Sequence, residues 1–148
     1  MILQQSHFAL ASTVGPVLEI HTRVVFYDGE TSPDKIIITP AKPADVTQLD
    51  GLMVIDHDAL HVFDRGYFDF KKFDEYCCNN IRFCTRIKDN TIIHVIEELS
   101  VDPSTGISRE AIVKLGKMKY PVRLIETKDS QGNTLAIIIN DAKMSTRN

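Results

Sequence analysis

The sequence predicts an α/β fold built on one sheet and followed by an antiparallel, β-rich stretch. Two observations carry that expectation. Up to about residue 90, short apolar runs of strand length alternate with helical spacing in the order β-β-α-β-α-β. From Asp89 onward, four strand-like runs succeed one another with only turn chemistry between them. A chain of 148 residues fits one domain and is long enough to bury a core.

Taken in order, the first dozen or so residues show no clear period and end at a Gly15-Pro16 break. "VLEIHTRVVFYDGE" then reads as a strand closing on an Asp28-Gly29 turn, and "DKIIITP" as a second, buried strand, together an antiparallel hairpin. "PADVTQLDGLMVI" places Val46, Leu49 and Met53 at helical spacing, with Asp45 available to cap the first turn. "ALHVFD" is the next strand. In "FDFKKFDEYCCNN", Phe70, Phe73 and Cys77 share one helix face, Lys71 and Lys72 take the opposite, solvated face, and Asp69 is the expected N-cap. "IRFCTRIK" sets Arg82, Cys84, Arg86 and Lys88 against Ile81, Phe83, Thr85 and Ile87, as a half-buried strand does. "NTIIHVIEEL", "ISREAIVKLG", "YPVRLIET" and "NTLAIIIND", separated by "DPSTG", "KMK" and "KDSQG", complete a meander.

Composition narrows the function classes. With 43% hydrophobic and 25% charged residues the chain is ordinary for a soluble domain. No apolar run reaches the length of a membrane span, and the N-terminus lacks the basic start of a signal peptide, so a cytoplasmic protein is expected. A net charge of −3 argues against wholesale nucleic-acid binding, though local basic faces remain available. Cys77, Cys78 and Cys84 have no zinc-ligand spacing and read as reduced, partly buried thiols. His57 and His61 flank a loop-to-strand junction rather than one helix face, which discounts a metal site with Asp56 and Asp58.

The chemistry concentrates at "HVFDRGY", where an apolar strand ends on Asp64 beside Arg65, Gly66 and Tyr67. A strand end is rigid and opens into the crevice beyond a sheet, where a carboxylate can hold a divalent ion. Gly66 would let the chain turn sharply, Arg65 could hold a phosphate or brace the carboxylate, and Tyr67 would buttress the turn. From the residues alone, a bare turn carboxylate explains the same tetrapeptide. The cluster Lys114, Lys117, Lys119, Arg123 and Lys128 contains one acid, Glu126, and reads first as solvated hairpin surface.

"HVFDRGYFDFKKFDEY" followed by "IRFCTRIKDN" resembles the DDE transposases of bacterial insertion sequences. That family carries Asp-Arg-Gly-Tyr after a strand, then a helix, then a Phe-x-Thr-Arg-x-Lys-x-Asn strand. Here these are Asp64, Arg65, Gly66 and Tyr67, then Phe83, Thr85, Arg86, Lys88 and Asn90. His21, Thr22, Thr39, Ala41 and Asp45 match the family's upstream hairpin and helix, while Glu19 stands where lysine is usual and Ala44 where histidine is frequent. The match runs over roughly residues 17 to 140.

The resemblance implies an RNase H-like mixed sheet with helices over about residues 17–90 and a β-rich insertion over about 91–140, within one catalytic domain spanning 1–148. It implies Mg²⁺, or Mn²⁺ as substitute, held by an Asp-Asp-Glu triad that cuts and transfers DNA strands. Asp64 is then the second catalytic aspartate and a metal ligand, with Arg65, Arg86 and Lys88 approaching transposon-end DNA. The first aspartate is expected on a strand well before His21, commonly as Asp-Ser-Thr, where "ALAST" at Ala9 to Thr13 has alanine in its place, and the glutamate on a helix beyond the insertion; neither is found. One carboxylate cannot hold two ions in the geometry of in-line displacement. The expectation is a truncated transposase, inactive alone and with its metal unbound, partnered by DNA and by a second copy or full-length transposase. The alternatives are a non-catalytic inhibitor that binds DNA or transposase, and a remnant with no selected role.

Overall fold

The structure, a computed structural model, describes residues 2–9, 18–40, 49–54 and 56–140, with side chains from Ile20 onward in those ranges except Pro40. Its framework is one nine-stranded sheet: β1 (Ile2–Ala9), β2 (Leu18–Tyr27), β3 (Glu30–Pro40), β4 (Leu60–Phe63), β5 (Arg82–Arg86), β6 (Ile93–Glu98), β7 (Ile107–Leu115), β8 (Val122–Lys128) and β9 (Thr134–Ile139). The spatial order is β3-β2-β1-β4-β5-β9-β8-β7-β6. β1 and β4 are parallel, as are β4 and β5, and the other neighbours are antiparallel. The expected mixed sheet with an antiparallel meander is present.

Two features correct the sequence reading. The patternless N-terminus forms β1, which pairs with β2 from Ile2↔Val25 to Ala9↔Leu18 and with β4 from Ile2↔His61 to Gln4↔Phe63. A central strand is stabilised by ladders on both sides, so "ILQQSHFA" needs no alternation of its own. The meander is also not set apart from the first half. It returns through β9 to pair with β5 at Cys84↔Ile139, Thr85↔Ile138 and Arg86↔Ile137.

Helices sit on the face that carries the core. α1 (Leu49–Leu52) buries both leucines, and α2 (Phe70–Cys78) buries Phe73 and Tyr76. The expected cap by Asp45 lies outside the described residues. Asp69 does cap α2, accepting from the Lys71 and Lys72 amides at 2.8 and 3.1 Å. Lys71 is exposed as expected, but Lys72 is half-buried and ion-paired with Asp50. Beneath α2, Phe63, Phe73 and Phe83 form a triangle with centroids 5.9, 5.9 and 4.9 Å apart. Each such ring contributes about 1.5–3 kcal/mol by leaving water, which ties the ends of β4 and β5 to one helix. On β3, Ile37 packs inward while Ile36 and Ile38 are exposed, the alternation of a half-covered strand. Edge strand β3 carries Pro33, and edge strand β6 is bulged between Val95 and Glu97, two devices that discourage further pairing.

Among the described residues, no helix is long and apolar enough to cross a membrane.

Candidate nucleic-acid interface at the ends of β4 and β5

Asp64 follows the last residue of β4 and opens a short 3-10 turn, Arg65–Tyr67. Its backbone is extended (φ −70°, ψ 156°), its carbonyl accepts from the Tyr67 amide at 3.0 Å, and its carboxylate makes no capping bond. The side chain is exposed, so the carboxylate is free to face a ligand from the rim of the sheet. Gly66 is not one of the left-handed glycines, so this turn does not require glycine's conformational freedom.

The turn is held from below. Tyr67 is fully buried, and its hydroxyl lies 3.0 Å from Nδ1 of His21 on β2. Nε2 of His21 is in turn 3.1 Å from the Thr39 hydroxyl on β3. His21 therefore reaches beyond its own strand, and three residues from three separate motifs form one hydrogen-bonded chain. Thr85, buried on β5, donates to the Phe63 carbonyl at 2.8 Å, fixing the peptide just before Asp64. Four motif residues thus serve the position of one carboxylate.

The three cations expected near DNA occupy the same rim. β4 and β5 are parallel with Phe63↔Thr85 in register, so Asp64 and Arg86 leave the sheet abreast. Arg65 is partly exposed, with Nη1 3.7 Å from an Asp89 oxygen, and Asp89 is almost fully exposed. Lys88 places Nζ 5.6 Å from the centroid of Phe68. These contacts knit the exit of β5 to the turn after β4. Arg86 is exposed and also lowers the pKa of Asp129, whose main perturbation is its hydrogen bond from Asn133.

Other candidates fall into structural roles. His61 is fully buried, accepting from the Val54 amide at 3.3 Å and donating to the Arg82 carbonyl at 3.1 Å. His57 lies 3.3 Å from the Asn80 carbonyl. Burial pushes the thiols of Cys77 and Cys84 up to about 11, whereas Cys78 is exposed, contrary to the expectation of partial burial. Arg123 leaves the basic cluster, because it pairs with buried Glu110 inside the sheet.

Sequence reasoning missed Asp74 and Asn140. Asp74 accepts from the Lys119 and Tyr120 amides at 3.0–3.1 Å, clamping the β7–β8 turn to α2. Asn140 accepts from the Phe83 amide at 2.8 Å and donates to the Ile81 carbonyl at 2.7 Å. Neither has a local sequence signature, since each acts on residues at least 45 positions away. A groove of about 530 Å³ between α2 and the β7–β8 turn is lined by Phe70, Glu75, Cys78 and Tyr120 among others, and includes none of the rim residues above.

The donor set of the described residues does not fit a two-ion centre. Among the described residues, no three His, Cys, Asp or Glu side chains converge as metal ligands. β1, the strand beside β4, reads Ile-Leu-Gln-Gln-Ser-His-Phe-Ala and contains no carboxylate. Asp89, another acid at this rim, is engaged with Arg65.

The sequence model of the family described as "Transposase DDE domain" matches residues 21–143. A curated relative from Sinorhizobium fredii (strain NBRC 101917 / NGR234), named "Putative transposase y4zB", is 25% identical over 142 residues, which cover 90% of this chain and 40% of the relative. The chain therefore spans about 40% of that relative's length. The matched span holds Asp64 with the His21, Thr39, Tyr67 and Thr85 side chains that position it, and the chain belongs to the transposase DDE domain family.

Proposed function

We propose that this chain is the Asp64-bearing part of a DDE transposase catalytic domain, with an RNase H-like core over about residues 17–90 and a β-rich insertion over about 91–140. In the intact protein that domain would cut and rejoin DNA strands with divalent metal, Asp64 serving as one metal-binding carboxylate. Arg65, Arg86 and Lys88 would lie against the backbone of transposon-end DNA. The observation that supports this reading most is the exposed Asp64 at the carboxyl end of parallel strand β4, abreast of Arg86, inside the span the family matches.

Phosphate contacts carry affinity without sequence information and are salt-dependent. Replacing Arg86 and Lys88 together with alanine should weaken DNA binding for all sequences and make the slope of log affinity against log salt shallower by roughly two units. Unchanged affinity in fluorescence anisotropy would remove this rim from the DNA interface.

A second reading, a non-catalytic binder of DNA or transposase, is favoured by the carboxylate-free β1 beside Asp64. Both readings expect the chain alone to leave supercoiled plasmid intact in Mg²⁺ or Mn²⁺, as does its Asp64→Ala variant. Nicking by the chain and not by the variant would instead show a complete site that includes residues outside those described.

A further inference from the structure

We propose that this chain binds DNA without divalent metal, and that Asp64, deprived of ions to neutralise it, opposes that binding instead of assisting it. The inference rests on the reading of the β4–β5 rim as the DNA-facing edge.

In a two-ion centre, carboxylates attract cations that bridge to the phosphate, so the acids contribute indirectly to DNA affinity. That bridge needs carboxylates converging from more than one element. Here the neighbours of β4 are β1, paired with it up to Gln4↔Phe63, and β5, and neither strand has an acid along its length. Arg65 holds Asp89 at 3.7 Å, which turns the second acid of the rim toward a guanidinium. Magnesium held by a lone, exposed carboxylate keeps most of its waters and binds weakly.

The same rim presents Arg65, Arg86 and Lys88 among Asp64, Asp89 and Asp129. Exposed Arg86 and Lys88 can meet phosphates by direct ion pairing and counterion release, a mode that uses no metal. Asp64 is exposed at the level of Arg86, and its carboxylate makes no capping bond. A carboxylate and a phosphate roughly 10 Å apart in water repel by an amount worth about twofold in affinity.

The test compares a DNA duplex binding to the full chain, to Asp64→Asn and to the Arg86→Ala/Lys88→Ala double variant, in EDTA and in Mg²⁺ at matched ionic strength. All the replaced side chains are exposed, and circular dichroism confirms that each variant is folded. The expected result is equal binding in EDTA and Mg²⁺ and about twofold tighter binding by Asp64→Asn in both. Tighter binding in Mg²⁺ that Asp64→Asn abolishes would overturn the inference while leaving the DNA-facing rim intact, because Asp64 would then be holding an ion. Loss of nothing in the double variant would overturn both the rim and the inference drawn from it.

Discussion

At the scale of single residues, the rim is built by side chains that never reach it. His61 shows how tightly such a residue can be specified. Its Nδ1–H donates to the Arg82 carbonyl and its Nε2 accepts from the Val54 amide, so both ring nitrogens are committed in the neutral form. Burial is the largest influence and lowers its pKa, the backbone bond to Arg82 opposes this, and Arg23 lowers it further. Protonation at Nε2 would set an N–H against the Val54 N–H. The unfolded chain takes up that proton near 6.5 and the folded chain only at lower pH, so the unfolded state binds more protons in between. Stability associated with His61 is therefore full above about 6.5 and is lost as pH falls through the depressed folded value. His61→Gln keeps a donor and an acceptor but does not titrate, so its stability should fall less than that of the parent between pH 7 and pH 5. Equal losses in urea melts at the two pH values would remove His61 as the source. The sequence showed the Asp64 motif and the buttressing by Tyr67, because those residues are contiguous. It did not show that Tyr67 meets His21, a partner 46 residues away.

At the scale of elements, local chemistry was legible and docking was not. Asp69 could be read as the cap of α2 because a cap acts two and three residues ahead of itself. What holds α2 against the meander is two contacts with no such spacing: Asp74 of α2 accepting from the amides of the β7–β8 turn, and Phe70 against Gly116 just past β7. Gly116 has φ +47°, and a Cβ there would lie 2.7 Å from the Phe70 ring. Gly116→Ala therefore combines a left-handed backbone with a steric overlap and should cost about 1–3 kcal/mol. Combining it with Phe70→Ala removes the overlap and leaves only the backbone cost. The double-mutant cycle should accordingly show the two substitutions to be less than additive. Additive losses would mean that the helix and the turn do not press on one another.

At the scale of the whole molecule, one sheet unites two halves that the sequence presents as different textures. Within each half, strands follow one another and their turns announce the pairing. The join does not announce itself: β5 and β9 are some fifty residues apart and share three paired positions. So short a ladder needs reinforcement, and Asn140 supplies it just past β9, accepting from the Phe83 amide and donating to the Ile81 carbonyl. Its own amide also donates to the Phe83 carbonyl at 3.3 Å. Asn140→Ala keeps the last bond and deletes the two made by the side chain. Leaving a half-buried backbone donor and acceptor without those partners should destabilise the fold by about 1–3 kcal/mol. The location of the loss is the sharper forecast. Hydrogen exchange should accelerate first at Cys84–Arg86 and Ile137–Ile139, with β7 and β8 still protected, since the meander retains its own antiparallel ladders. If exchange instead rises evenly across all strands, the sheet opens as one unit and Asn140 is not its seam. If β5 and β9 stay protected, the three paired positions hold the seam without the Asn140 side chain, and they support Arg86 at the rim alongside the β4–β5 ladder.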